Sequence, residues 1–330
     1  MQQARTTDPA WRGLWMLAVP VLPVLVALGV VEWIGVPRIS PAVSEASAIL
    51  AFQDAAGRLA FAGAVVVHTI VCTAAILYFA VQIVRFAGPC RTAIALAVAA
   101  LSVGMVAAMA GLAFVEPRLA IYDYTFYRIV ELLAQSPVAG DLLGARGNLS
   151  VLAVCVLYPS ALGIVAVLTA AGAGVAATRQ LGDLRGADGH ARLVQRAHVL
   201  LHSFYALSAV LATSTLAAAL FFRLPIHALE LAETTESLHT ALTAYLSGLG
   251  TFWAAVYTLT LFAAFAAPAA RIYLHVHTLV AGEGAGMTVA AWLRAQGLKL
   301  SLGDNIKNAL VLIAPLLVGP LGDLVGLLPR

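Results

Sequence analysis

The side chains with chemistry to offer fall into two stripes within apolar surroundings. Between 195 and 213 stand Gln195, His198, His202, Tyr205 and Thr213. Successive steps of 3, 4, 3 and 8 keep them near one face of a helix. Between 239 and 258 stand His239, Thr243, Ser247, Thr251 and Thr258, mostly four residues apart. Polar groups avoid lipid, because an unpaired one in hydrocarbon costs several kcal/mol. Both stripes are therefore expected to face protein or water. Their hydroxyls can stand in for part of an ion's hydration shell, and neutral walls let the ion leave again. The competing role is hydrogen-bonding glue between helices.

Histidine offers two further chemistries. His68 falls in the middle of one apolar run, and His198 and His202 fall at the end of another. Two imidazoles on facing helices could ligate a haem iron. A pair at i and i+4 could hold a metal, but no carboxylate ligand accompanies His198 and His202. The expectation is no cofactor and no metal. Cys72, Cys90 and Cys155 form neither a disulfide framework nor a zinc pattern.

Other chemistries lack their residues. There is no phosphate-binding Gly-x-x-x-x-Gly-Lys-Ser/Thr loop, no Gly-x-Ser-x-Gly and no His-Glu-x-x-His. The apolar runs carry no Asp or Glu in their middles, which argues against proton-coupled carriers and pumps. Catalytic residues are not expected.

Six long apolar runs position the stripes. They begin near Gly13, Leu59, Thr92, Leu149, Ala197 and Thr240. Each is about 19 residues or longer, enough to cross a hydrocarbon core of roughly 30 Å as a helix. The whole chain of 330 residues is 62% hydrophobic and only 11% charged, with mean hydropathy +0.93. That pattern predicts an all-α, polytopic membrane protein with six transmembrane helices. A six-helix domain over 1–268 and a cytoplasmic or interfacial helical tail over 269–330 account for the length.

The first run, 13–31, has Pro20 and Pro23 in its first half and Trp11, Trp15 and Trp33 as interface anchors. No Ala-x-Ala cleavage pattern follows, so it reads as a retained helix. A short outer helix is expected over 42–54. The second and third runs join through a tight Gly88-Pro89 link. In the third, Gly104 and Gly111 mark a small-residue seam, expected to pack within one subunit. An amphipathic helix at the outer interface is expected over 121–135. Pro268 is expected to disturb the end of the sixth run.

Lys and Arg resist translocation and mark the cytoplasmic side. With the N-terminus inside, the cytoplasmic segments carry a net +7 and the outer segments −4, consistent with the total of +3. The expected topology is N-in and C-in, in the plasma (inner) membrane as a multi-pass protein. Arg179, Arg185, Arg192, Arg196 and Arg271 then form a basic cytoplasmic face able to meet a small anionic ligand. The insertion rule alone also explains these charges. No run of consecutive Lys or Arg points to nucleic acid.

In the tail, residues 282–286 read as a flexible glycine break, 287–300 as a short helix, and 309–322 as an apolar stretch too short and proline-broken to span. Small-residue seams and an apolar tail suit a homo-oligomer in the lipid bilayer. The functional expectation is an oligomeric channel or pore-type effector, its path lined by the two stripes. A passive transporter or lipid enzyme is the alternative, followed by a haem-bearing electron carrier.

Overall fold

The computed structural model describes residues 48–112, 119–136, 139–143, 145–146, 149–179, 187–229, 236–282 and 288–296. The expected first span at 13–31 and the apolar stretch at 309–322 lie outside the described residues. Five helices dominate the described residues: α1 (Ala48–Phe86), α2 (Arg91–Leu112), and, after a short connecting segment, α5 (Val151–Thr178), α6 (Ala187–Ala228) and α7 (Glu236–Gly282). All five are long and apolar enough to cross a membrane. The connecting segment holds α3 (Ala120–Tyr122), a π-helical turn (Asp123–Tyr127), α4 (Arg128–Ala134) and a minimal hairpin of β1 (Ala145–Arg146) with β2 (Leu149–Ser150). A short α8 (Val289–Ala295) follows α7.

These sequences form helices because a backbone in hydrocarbon must satisfy its own hydrogen bonds, and Ala and Leu allow this at little entropic cost. The helices outrun the expected spans. The short outer helix expected over 42–54 is, from Ala48 onward, the first turns of α1. α7 has 47 residues, ~70 Å at 1.5 Å per residue, more than twice a hydrocarbon core. It passes through Pro268 unbroken and crosses the expected boundary at residue 268. A proline forfeits one backbone hydrogen bond, which membrane helices accommodate. Here its ring also nests on bare backbone: a Cβ on Gly174 of α5 would stand 3.0 Å from Pro268 Cγ.

α6 lies at the centre, packed on α1, α5 and α7. α1 and α6 run antiparallel in one register from end to end. Phe61 meets Phe221 at a ring separation of 5.8 Å, His68 meets Thr213, and Arg196 lies over Phe86. Buried side chains fill the bundle in two clusters. Phe79, Ile94, Leu168, Leu207 and Val276 belong to one. Phe61, Leu132, Leu133, Phe221 and Leu246 belong to the other, under the segment between α2 and α5.

The connecting segment is helical where an amphipathic helix was expected, and it is packed into the bundle as well as lying on its end. Ile121, Ile129, Leu132 and Leu133 are buried. It also caps helix ends, whose last carbonyls have no intrahelical donor. Tyr122 donates its hydroxyl to Met109 O near the end of α2, and Ser136 donates to Ala228 O at the end of α6. The link between α1 and α2 is as tight as expected, with Gly88 at φ 54°, a left-handed conformation that favours glycine.

Among the described residues, nothing packs on the expected small-residue seam: a Cβ on Gly104 or Gly111 would meet none of them within 4 Å. The close approach occurs at Gly172 of α5, where a Cβ would stand 2.8 Å from Val98 and 3.1 Å from Ile83. α2 therefore docks through its Ile94–Val98 face and turns its glycines outward.

Candidate functional site

The stripe on α7 runs along the flank of that helix's packing face. Leu242, Leu246, Leu249 and Ala254 are buried, whereas Thr243, Ser247 and Thr258 are half-buried and Thr251 is exposed. Thr251 donates its hydroxyl to Ser247 O and Thr258 to Ala254 O, each one turn back on its own helix. Thr243 Oγ1 is buried and has no hydrogen-bond partner among the described residues. On α6, Gln195 and His202 are exposed, and His198 and Tyr205 are half-buried. His198 Nδ1 lies 2.9 Å from Val194 O, and its ring is 6.4 Å from that of His202. Among the described residues, both stripes thus lie half-buried or exposed along the flanks of the bundle, and no path is enclosed between them. The centre of the bundle is filled by Phe79, Leu168, Leu207 and Leu211.

Thr213 departs from this pattern. Its Oγ1 is 3.0 Å from Nδ1 of His68 on α1, 145 positions away in sequence. Nε2 of the same imidazole is 3.1 Å from the carbonyl oxygen of Pro159 on α5. The Cys72 sulfur, one turn along α1, is 3.3 Å from Nε2. His68 and Cys72 are essentially inaccessible to solvent. Three helices therefore meet at one imidazole. The i, i+4 spacing of His68 and Cys72 was visible in the sequence, but the roles of Pro159 and Thr213 required the packing.

That placement separates His68 from the other two histidines. Thr213 and His198 are fifteen residues apart on α6, ~22 Å along its axis, and His202 is ~16 Å from Thr213. Such a separation prevents His68 from sharing one haem iron with either of them. Among the described residues no group of three or more His, Cys, Asp or Glu could hold a metal.

The basic end of the bundle has structural work for two of its arginines. Arg196 Nη1 donates to Ala177 O at 3.0 Å and to Arg179 O, closing the end of α5. Its guanidinium stands 5.7 Å from the centre of the Phe86 ring. Arg179 is buried, with Nη1 2.7 Å from Cys90 Sγ. Arg192 is exposed, Arg271 is half-buried, and Arg185 lies outside the described residues. The docked α8 adds Trp292, whose ring meets His190 edge-on at 6.2 Å.

The side chains left on the surface define the class. Leu59, Ile70, Leu77, Leu96, Val103, Leu259, Phe262 and Leu274 are all exposed. Apolar surface on this scale is untenable in water and is what lipid covers. With five helices able to span, the chain is an α-helical membrane protein of the multi-pass kind. No family model matches it, and no curated protein or solved structure does either.

Proposed function

We propose that the chain is a passive channel built from several copies, with its path running between them along the polar flanks of α6 and α7. The carrying observation is where the stripes lie. One copy has a filled core, yet His202 and Thr251 are exposed, with Ser247 and Thr258 half-buried beside Thr251. A second copy, or water held between copies, would cover these groups at less cost than lipid does. Ser247 and Thr251 then supply hydroxyl oxygens to a passing ion. In the N-in, C-in topology the His198–His202 end faces the cytoplasm of a plasma-membrane protein. Arg192, exposed, and Arg271, half-buried, belong to that face, and a small anionic ligand meeting them is the proposed gating signal.

The test is ion flux into liposomes carrying the purified protein. Ser247→Leu and Thr251→Leu should lower flux severalfold while native mass and expression stay unchanged. Normal conduction by both variants would overturn the reading, as would a wild type that never conducts with any anionic ligand tried. Loss of assembly in place of flux would reassign the stripes to interhelical glue.

A further inference from the structure

His68 is surrounded by an unusual set of partners. The Pro159 carbonyl can only accept, so the Nε2 facing it carries a hydrogen. The Thr213 hydroxyl facing Nδ1 can either donate or accept. Thr213 Oγ1 also lies 2.9 Å from Val210 O, the alternative target for its single hydrogen.

Two complete hydrogen-bonding patterns follow without moving a heavy atom. In the neutral ring, Thr213 donates to the Nδ1 lone pair. Val210 O then keeps the hydroxyl of Ser214, which donates to it at 3.0 Å. In the doubly protonated ring, Nδ1–H donates to Thr213 Oγ1, and the Thr213 hydrogen turns to Val210 O. Neither pattern orphans a buried polar group, so the cost of charging the ring is desolvation of the charge and not a lost hydrogen bond. Gly163 packs closely on the imidazole: a Cβ there would stand 3.9 Å from His68 Nε2 and 3.7 Å from Ser214 Oγ. Gly163, Thr213 and Ser214 are all only half-buried.

We propose that His68 is a proton-binding site at the junction of α1, α5 and α6, with the Thr213 hydroxyl as the rotor that serves both charge states. The incoming proton is taken from water and resides on Nδ1. No covalent bond other than N–H changes. Few groups compete for it. From α1 the one titratable neighbour is the Cys72 thiol, and Asp54 and Arg58 lie fourteen and ten residues away. From α5 the contacts are the Pro159 carbonyl and Gly163, with Cys155 one turn off. From α6 they are Thr213 and Ser214, with Arg223 ten residues from Thr213. Among the described residues no carboxylate stands beside the ring, so protonation places a positive charge without an acidic partner where three helices meet.

The experiment is imidazole nitrogen NMR on the full chain, labelled at histidine and held in lipid nanodiscs. The signal of His68 among the eight histidines is identified by its loss in His68→Gln. As pH falls from roughly 8 to 4, a range around the free imidazole value, the signal should pass from the neutral Nε2–H tautomer to the doubly protonated ring. Thr213→Val keeps the shape and removes both the donor to the neutral ring and the acceptor for Nδ1–H of the charged ring, the stronger of the two bonds. It should move the midpoint down by about one pH unit or more, tenfold in proton affinity. Thr213→Ser should return it to the wild-type position. A ring that stays neutral throughout, or a midpoint indifferent to Thr213→Val, would overturn the proposal. Because the readout is the ring itself, it stands or falls independently of conduction.

Discussion

Arg179, just past the end of α5, places Nη1 2.7 Å from Cys90 Sγ at the head of α2, with both residues buried. Beside it, Arg196 of α6 donates to the final carbonyls of α5 and stacks over Phe86 of α1. Two guanidinium groups thereby join the ends of α1, α2 and α5 to the side of α6. Cations suit a helix C-terminus, where carbonyl dipoles point outward unpaired.

Removing the second of these groups should be costly. Arg196→Gln leaves carbonyls of α5 without their charged donor and should lower stability by about 1.5–3 kcal/mol, the range for hydrogen bonds to charged groups. Arg91→Gln, at an exposed site, should stay within about 0.5 kcal/mol. Thermal unfolding of the two variants in the same detergent compares them directly. Equal midpoints would show that the Arg196 contacts contribute nothing.

Two glycines should respond with opposite sign to the same substitution. At Gly172 an added methyl would lie 2.8 Å from Val98 Cγ2 and must push α2 or α1 away. Overpacking of this kind costs about 1–3 kcal/mol. At Gly104 the methyl meets nothing, and alanine is the better helix former by roughly 0.8–1 kcal/mol. Gly172→Ala should therefore unfold earlier than the wild type and Gly104→Ala no earlier. A Gly104→Ala variant that is destabilised would mean that another surface covers this face of α2.

Gln82 on α1 is buried, and its Oε1 has no hydrogen-bond partner among the described residues. An amide oxygen in that condition pays desolvation without return. Gln82→Met, close in volume and apolar, should leave stability unchanged or raise it. A loss above about 1 kcal/mol, the scale of one net hydrogen bond, would reveal a bound water as its partner.

Sidedness is open to direct labelling. Ser237 and Ala191 are both exposed and lie near opposite ends of the bundle. On intact cells a membrane-impermeant maleimide should reach cysteine at Ser237→Cys. It should reach Ala191→Cys only after the membrane is opened. The reverse pattern would invert the topology derived from charge.

The sequence alone determined that this is a helical membrane protein, because unbroken apolar length is a one-dimensional property. For the same reason it located five of the runs now seen as α1, α2, α5, α6 and α7. It also marked the Gly88-Pro89 link and the amphipathic outer segment, which are local signals. Helix ends were less legible. Pro268 read as a disturbance of the helix because its missing N–H is visible in sequence, whereas the bare Gly174 that receives its ring is on another helix. Gly104 and Gly111 advertised a seam by composition alone, and the packing instead chose Gly172, which α2 and α1 both approach. Only the tertiary structure decided that His68 belongs with Thr213 and Pro159 and stands far along α6 from His198 and His202. Partners 91 and 145 positions apart are brought within 3.1 Å by helix register, and register depends on how whole faces interlock.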